Sequence, residues 1–156
     1  MSEHRVTVAW ERGERDFTYE VYSRDHTWEF DGGATISASA APGYRGTPDL
    51  VDPEQAFVAS LSSCHMLTFL SLAAKKRFIV DRYTDTATGH LEKNEDGKLA
   101  VARVVLRPDI AFGGEKQPSP EELGELHERA HDLCFVANSV TTAVSVEHPA
   151  PAAGTL

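Results

Sequence analysis

The side chains with the most reactive chemistry in this sequence are two thiols, Cys64 and Cys134. Two cysteines in 156 residues do not make a disulfide scaffold, because such scaffolds are small and dense in cysteine. In a reducing compartment the two thiols are inert core residues, metal ligands or a redox pair. A redox or nucleophilic thiol must ionise, and burial in apolar surroundings opposes ionisation. A catalytic cysteine in this chain therefore needs a cation beside it.

Four side chains are candidates for that cation: Arg24, Arg45, Arg77 and His65. Arg24 lies in a Ser-Arg-Asp turn, Arg45 lies in a loop rich in glycine and proline, and His65 directly follows Cys64. A guanidinium beside a thiolate needs an orienting carboxylate, and Glu54 precedes Cys64 on the same predicted helix. Taken one at a time, Arg24, Arg45 and Glu54 are better explained as solvated surface charge.

A metal site is a weaker alternative for the same region. His127, His131 and Cys134 follow the spacing H-x3-H-x2-C, and Cys64 with His65 could add ligands that zinc accepts. The sequence has no CxxC or HExxH pattern, and the two histidines lie beside an apolar stripe, where boundary residues are common. We therefore predict no metal site. GxSxG, Walker and GxGxxG motifs are also absent, so nothing indicates a hydrolase, an NTPase or a dinucleotide enzyme.

Two helices are predicted to carry the thiols. The first runs from about Pro53 to Arg77, with Asp52 as its N-cap, and is apolar on most sides, which predicts a buried helix. The second begins at a capping box, Ser119-Pro120-Glu121-Glu122, and has one apolar face that ends near Cys134. If the two helices pack face to face, the thiols can meet, and a disulfide would then need Cα atoms within about 7 Å.

The remaining pattern is typical of strands. Strands are predicted over Arg5–Trp10, Phe17–Ser23, Thr27–Phe30, Ala34–Ala40, Ile79–Glu92, Leu99–Ile110 and Val140–Val146. Runs of strands separated by two helices indicate an α+β fold. No linker divides the chain, so we predict a single domain over residues 1–156, with a frayed tail at about 149–156.

The net charge and the hydropathy of the chain exclude some classes of partner. The formal net charge of −9 disfavours binding to nucleic acid. No apolar run is expected to reach the ~20 residues that span a bilayer, and the N-terminus lacks the charged and apolar regions of a secretory signal. We therefore expect a cytoplasmic protein without a membrane partner.

Two segments together resemble one known family. The stretch DPEQAFVASLSSC at residues 52–64 closely resembles the signature helix of the OsmC/Ohr family, the osmotically inducible and organic hydroperoxide resistance proteins. AHDLC at 130–134, followed by NSV at 138–140, is similar to the second cysteine segment of that family. The order of elements agrees from about Arg5 to His148, so the resemblance covers nearly the whole chain.

The resemblance implies a fold, an activity and residue roles. The implied fold is an intertwined α+β homodimer with two central helices packed between antiparallel sheets. The implied activity is thiol-dependent reduction of hydroperoxides, organic ones above all. Cys64 matches the peroxidatic cysteine, Cys134 the resolving cysteine and Glu54 the family carboxylate. The turn at Arg24 matches the segment that supplies the activating arginine, with Arg45 as the alternative.

The chain also departs from the hydroperoxide-resistance branch. That branch has proline and a small polar residue after the second cysteine, where this chain has Phe135-Val136-Ala137, and His65 differs as well. The sequence is closer to the OsmC-like members. These departures leave the cysteine pair in place, but the preferred peroxide and the reductant do not follow from the resemblance.

The main hypothesis is a peroxidase without a bound cofactor. In it, Arg24 held by Glu54 stabilises the Cys64 thiolate, which attacks a peroxide and becomes a sulfenic acid. Cys134 then forms a disulfide with Cys64, and an external dithiol, of lipoyl type or a small thiol, reduces it. Two alternatives on the same fold are a non-catalytic protein that binds an apolar ligand and a thiol redox sensor.

Overall fold

The computed structural model of the chain describes residues 1–147. These residues group into two compact units, the first being Met1–Ala56 and the second beginning at Phe57. The expected single domain over residues 1–156 stays a prediction, and the expected frayed tail at 149–156 lies outside the described residues. Within the described residues the chain contains two long helices and eight strands, which confirms the α+β prediction.

The first unit contains a three-stranded antiparallel sheet. Its strands are β1 (Val6–Ala9), β2 (His26–Phe30) and β3 (Thr35–Ala38), in that order across the sheet. The predicted hairpin between β2 and β3 is present, with the Gly33 amide bonded to the Phe30 carbonyl at 2.8 Å. Gly33 has a φ of +86°, a conformation that side-chain-bearing residues rarely adopt.

The strand predicted over Phe17–Ser23 is wrong. The amides of Val21 and Tyr22 both donate to the Thr18 carbonyl, at 3.1 and 3.0 Å, which makes this segment a turn. Its aromatic residues, which gave the strand-like pattern, pack instead on Trp10 and on each other. The ring centroids of Phe17 and Tyr22 lie 5.2 Å apart, and Phe17 lies 5.7 Å from Trp10.

Helix α1 spans Pro53–Lys75 and continues from the first unit into the second. It begins at a reciprocal cap, in which the Gln55 amide donates to the Asp52 carboxylate and the Asp52 amide donates to the Gln55 side chain, at 2.7 and 3.2 Å. It ends before Arg77, which adopts a left-handed φ of +63°. The predicted helix therefore exists, and its end lies two residues earlier than expected.

Burial of α1 differs from the prediction. Four residues at helical spacing are buried, and they are Leu61, His65, Phe69 and Ala73. Leu67 is 61% exposed, so the helix has one buried face rather than a buried circumference. By length and composition, α1 meets the minimum for a membrane span, contrary to the expectation from the sequence. One such helix is weak support for a span, because core helices of soluble proteins pass the same test.

The two long strands predicted in the second half are each divided. Ile79–Glu92 becomes β4 (Ile79–Asp85) and β5 (Thr88–Lys93), and Leu99–Ile110 becomes β6 (Leu99–Leu106) and β7 (Pro108–Gly113). β4 pairs with β7 in one sheet, while β5 pairs with β6 in another. Pro108 has no amide hydrogen to continue the ladder, and the Asp85 carboxylate accepts the Arg107 amide at 2.6 Å, which stabilises the break.

Strand β8 (Ala143–Val146) confirms the last predicted strand and pairs with β6 in a parallel direction. The implied antiparallel pairing is found for the other four strand pairs of the described residues and is wrong for this one. Helix α2 spans Pro120–Leu133 and has the predicted capping box, in which the Glu122 amide donates to the Ser119 hydroxyl at 3.1 Å.

Two apolar clusters hold α1 within the second unit. Its first half packs through Leu61 on Val104 and Leu106 of β6. Its second half packs through Phe69 and Ala73 on α2 residues, including Leu126 and Ala130. The face of α1 that carries Cys64 is thereby held next to the end of α2.

Candidate functional site

The two thiols meet within the second unit. Cys64 lies near the middle of α1 and is half-buried, whereas Cys134 is only 1% exposed. Both are free thiols. Burial raises the pKa of the Cys134 thiol, and a side-chain hydrogen bond with Cys64 raises this pKa further. The arrangement brings one accessible and one enclosed sulfur into hydrogen-bonding contact.

Cys134 is not on the face of α2, as the sequence predicted, but is the first residue beyond the helix. It is the C-cap of α2, with extended backbone angles and an amide bonded to the His131 carbonyl at 3.2 Å. The chain then turns, so that the Ala137 amide donates to the Cys134 sulfur at 3.4 Å. This amide and that of Val136 lower the pKa of Cys134, in opposition to the effect of burial.

The sulfur contact from the turn was missed at the sequence level. Its donors are backbone groups of Val136 and Ala137, and backbone amides carry no side-chain signal. Phe135-Val136-Ala137 was recognised only as a departure from a pattern. In the structure this segment provides hydrogen bonds that favour the thiolate of Cys134.

Two buried histidines, His65 and His127, form a pair between α1 and α2. His65 follows Cys64, and His127 lies on α2, two helical turns before Cys134. Their Nε2 and Nδ1 atoms are 3.0 Å apart, and the two ring planes lie within 7° of parallel with centroids 5.3 Å apart, so the rings meet edge to edge. The residues are only 2% and 3% exposed. The interpretation of His127 as a boundary residue is therefore wrong.

Two of the four candidate cations are unsuited to Cys64. Burial lowers the pKa of His65 to about 4, and the nearby His131 lowers it further, while Asp85 opposes the shift. His65 is therefore neutral near pH 7. Arg77 follows the end of α1, roughly 20 Å further along the helix axis than Cys64 at about 1.5 Å per residue.

Arg24 lies in the first unit, held by the turn that replaces the predicted strand. Its guanidinium donates to the carbonyls of Tyr22 and Tyr19, at 2.5 and 2.6 Å, and lies 3.7 Å from the centre of the Tyr22 ring. The next residue, Asp25, accepts hydrogen bonds from the hydroxyls of Thr47 and Ser39, at 2.7 and 2.8 Å. These bonds, that from Thr47 first, hold the pKa of Asp25 below its ordinary value.

Arg45 and Glu54 also belong to the first unit. Arg45 adopts a left-handed φ of +66° and lies 5.4 Å from the Tyr19 ring centre, so both candidate arginines border one tyrosine. Glu54 is half-buried in the first turn of α1. Among the described residues Arg24 and Glu54 form no ion pair with each other. The expectation that Glu54 orients Arg24 stays a prediction.

The first unit also contains an open cavity of about 410 Å³. Arg24 contributes one polar group to a lining that is otherwise largely aromatic and apolar. The lining residues include Trp10, Phe17, Tyr22, Arg24, His26 and Pro53. The size suits a small apolar molecule with one polar end.

The histidine spacing does not gather metal ligands. Within residues 1–147, no group of three or more His, Cys, Asp or Glu side chains is placed to hold a metal ion. His127 is instead bonded to His65 and stacks on Phe69, with ring centroids 4.6 Å apart. The zinc alternative therefore has no support in this part of the chain.

The chain is similar in sequence and in fold to one group of proteins. A family model described as OsmC-like protein matches residues 46–148. An OsmC-like protein of unknown function from Vibrio cholerae is 52% identical, with a TM-score of 0.92 over 96% of this chain and 100% of that chain. No curated protein gives a significant match.

More distant structures share the fold alone. An organic hydroperoxide resistance protein from Elizabethkingia anophelis is 20% identical, with a TM-score of 0.70 over 96% of this chain and 98% of that chain. The organic hydroperoxide resistance protein OhrB of Bacillus subtilis is 19% identical, with a TM-score of 0.64 over 95% and 98% of the two chains.

Proposed function

The chain belongs to the OsmC-like family, and on that premise we propose that it is a thiol peroxidase that reduces organic hydroperoxides. Hydrogen peroxide is a second substrate in this proposal. The observation that carries it is the contact between a half-buried Cys64 and an enclosed Cys134. Distant relatives of the same fold are named organic hydroperoxide resistance proteins, which supports the choice of substrate class.

The proposed reaction has two chemical steps. The Cys64 thiolate attacks the distal oxygen of ROOH, the O–O bond breaks, and the departing alkoxide takes a proton to give ROH and a Cys64 sulfenic acid. The Cys134 sulfur then attacks the Cys64 sulfur, and water leaves as the disulfide forms. Two observations support Cys134 in this second step: its sulfur contacts Cys64, and it accepts a hydrogen bond from the Ala137 amide.

The unequal burial of the thiols supports their assignment. A substrate must reach the attacking sulfur, and Cys64 is the more accessible of the two. The resolving sulfur meets only Cys64 and is better kept from solvent, as Cys134 is at 1% exposure. Cys64 is therefore the peroxidatic cysteine and Cys134 the resolving cysteine in this proposal.

The activating cation in the proposal is Arg24, with Arg45 as the alternative. A guanidinium that hydrogen-bonds to backbone carbonyls and stacks on Tyr22 is held without a carboxylate, yet it keeps donors free for a thiolate or peroxide. Glu54 is assigned to orienting this arginine when substrate is bound. The family resemblance supports both roles and also supports a homodimer in the cytoplasm.

A catalytic cycle needs two electrons from outside the chain. Thiol–disulfide exchange with an external dithiol, of lipoyl type or a small thiol, returns Cys64 and Cys134 to the reduced state. No bound cofactor is required, because the cysteines carry the electrons from the dithiol to the peroxide.

The direct test is turnover with matched cysteine variants. Reduced protein is mixed with cumene hydroperoxide or hydrogen peroxide, and loss of peroxide is followed together with the thiol count in the presence of dihydrolipoamide. Cys64→Ser should lower turnover at least about 100-fold, because it removes the nucleophile. Cys134→Ser should still form a sulfenic acid, trapped with dimedone. Full turnover by Cys64→Ser would refute the assignment.

A second candidate function is binding of an apolar ligand without catalysis, and the cavity in the first unit favours it. In that case a fatty acid should raise the melting temperature and change the fluorescence of Trp10, which lines the cavity. Both thiols should then stay reduced under peroxide. Rapid oxidation of the thiols by cumene hydroperoxide would reject binding without catalysis and favour the peroxidase.

A further inference from the structure

The histidine pair takes no part in the proposed chemistry, yet it joins the same two helices as the thiols. His65 is on α1 beside Cys64 in sequence, and His127 is on α2 before Cys134. The proposed disulfide requires the middle of α1 and the end of α2 to meet within narrow limits of distance and angle. A contact that sets the position of α1 along α2 therefore sets the approach of the two sulfurs.

The other contacts between the helices do not define that position closely. Phe69 and Ala73 of α1 pack on Leu126 and Ala130 of α2, and apolar packing is non-directional. A hydrogen bond between two ring nitrogens, by contrast, depends steeply on distance and angle. The Nε2–Nδ1 distance of 3.0 Å and the nearly parallel rings meet those requirements.

Burial strengthens this contact. The residues are 2% and 3% exposed, and Phe69 covers one face of the His127 ring, so water does not compete for the ring nitrogens. A bond of this kind in a low-dielectric interior is costly to leave unmade, which disfavours any displacement of α1 along α2.

We propose that the hydrogen bond between His65 and His127 positions Cys64 against Cys134 and thereby sets the rate at which the disulfide closes. His65 and His127 are positioning residues in this reaction, since neither step of the proposed chemistry uses an atom of their rings. The inference rests on the proposed disulfide between Cys64 and Cys134.

The effect of the histidine pair on the rate of disulfide closure should not change with pH in the physiological range. The groups that face His65 are His127 and His131 from α2 and Asp85 from the end of β4. Burial lowers the pKa of His65 to about 4, so it stays neutral from pH 5.5 to pH 8. Over that range the closing rate should vary with pH only as the ionisation of Cys134 requires.

The test measures closure apart from peroxide chemistry. Reduced protein is mixed with excess dithionitrobenzoate, and the first thionitrobenzoate released marks a mixed disulfide on the accessible Cys64. The second release marks closure, in which the Cys134 sulfur displaces thionitrobenzoate and forms the protein disulfide. Cys134→Ser should show the first release and lack the intramolecular second one.

Two double variants of matched volume isolate the hydrogen bond. His65→Met with His127→Leu removes both polar partners together, so the melting temperature should change little. His65→Gln with His127→Asn keeps an amide at each bonding position. The apolar variant should close about 10-fold more slowly than wild type at every pH, because small misplacements of reacting atoms have large effects on rate. The amide variant should stay within about 3-fold of wild type, and His131→Gln serves as the unbonded control.

Closure by the apolar variant at the wild-type rate, with an unchanged melting temperature, would overturn the inference. If that variant does not fold, His65→Gln and His65→Met decide in its place, because their side chains have nearly the same shape; equal closing rates for these two would overturn it. A wild-type protein that closes with dithionitrobenzoate but does not consume peroxide refutes the proposed function and leaves this inference standing. A wild-type protein that consumes peroxide without closing refutes this inference and the resolving role of Cys134, and leaves the peroxidase activity of Cys64 standing.

Discussion

Helices α1 and α2 are joined by two side-chain pairs of opposite character. The histidine pair is buried, with both residues at most 3% exposed, and its nearly coplanar rings are hydrogen-bonded. The thiol pair has one enclosed member, Cys134, and one accessible member, Cys64. Cys64 and His65 are adjacent in the sequence, yet Cys64 lies at the surface of the core and His65 lies inside it.

The difference shows how one helix can serve stability and chemistry together. Successive residues of a helix point about 100° apart, so Cys64 and His65 belong to different faces of α1. The face of His65 continues through Phe69 and Ala73 into the apolar core, whereas the face of Cys64 stays half open. Stability should therefore depend on the histidine side, and reactivity on the thiol side.

The largest expected effect tests the buried side of this comparison. Phe69 is fully buried and stacks on His127, whereas Phe135, the residue after Cys134, is 83% exposed. Phe69→Ala should lower the free energy of unfolding by about 3–5 kcal/mol, through lost burial and the cavity left behind. Phe135→Ala should change it by less than about 0.5 kcal/mol. Urea denaturation measures both free energies of unfolding. Similar losses of stability for the two variants would contradict the assignment of stability to the buried side.

The next largest effect is a loss of stability at low pH, which His65 should cause. The unfolded chain takes up a proton at His65 below about pH 6.5, whereas burial holds the pKa in the folded chain to about 4. Unfolding therefore binds a proton in this window, and roughly 3 kcal/mol of stability is lost as pH falls from about 6.5 to about 4.

Denaturation curves between pH 7 and pH 4 for wild type and His65→Gln measure that loss. The glutamine variant keeps the carboxylates of the chain, so the difference between the two pH profiles isolates the histidine pair. Parallel profiles over the whole window would show that His65 is protonated as readily in the folded state as in the unfolded state.

The smallest of the three effects tests the open side. In the single-thiol variants, iodoacetamide at pH 8 should modify Cys64 at least about 10-fold faster than Cys134. Cys134 is 1% exposed, and burial raises the pKa of its thiol, so both access and ionisation slow its reaction. Mass spectrometry of timed samples gives the two rates. Equal rates would mean that the end of α2 opens easily and that the two sulfurs are not distinguished by burial.

Local sequence features predicted the elements whose causes are local. The capping box at Ser119, the proline at the start of α1 and the glycine turn before β3 all act within a few residues, and each is found where it was expected. The signature at residues 52–64 identified the family, which the match over residues 46–148 confirms.

Predictions failed where a distant residue decides the outcome. The aromatic run at Phe17–Ser23 has the composition of a strand, but its rings pack on Trp10 and its backbone turns. The long strands divide at Asp85 and Arg107 because a carboxylate from one chain segment accepts an amide from another. Secondary-structure propensity and hydrophobic periodicity carry no information on such contacts.

The α+β class, the two capped helices and the family could all be predicted from the sequence, because caps, turns, signature residues and hydrophobic spacing are properties of short segments. The tertiary structure alone decided that Cys134 lies just beyond α2 with turn amides at its sulfur, and that His65 and His127 share a buried hydrogen bond. The histidine contact joins residues that are far apart in the chain, and only the packing of α2 on α1 brings them within reach. The sulfur contact is local, but its donors are backbone amides, whose direction is set by the turn and not by a side-chain type.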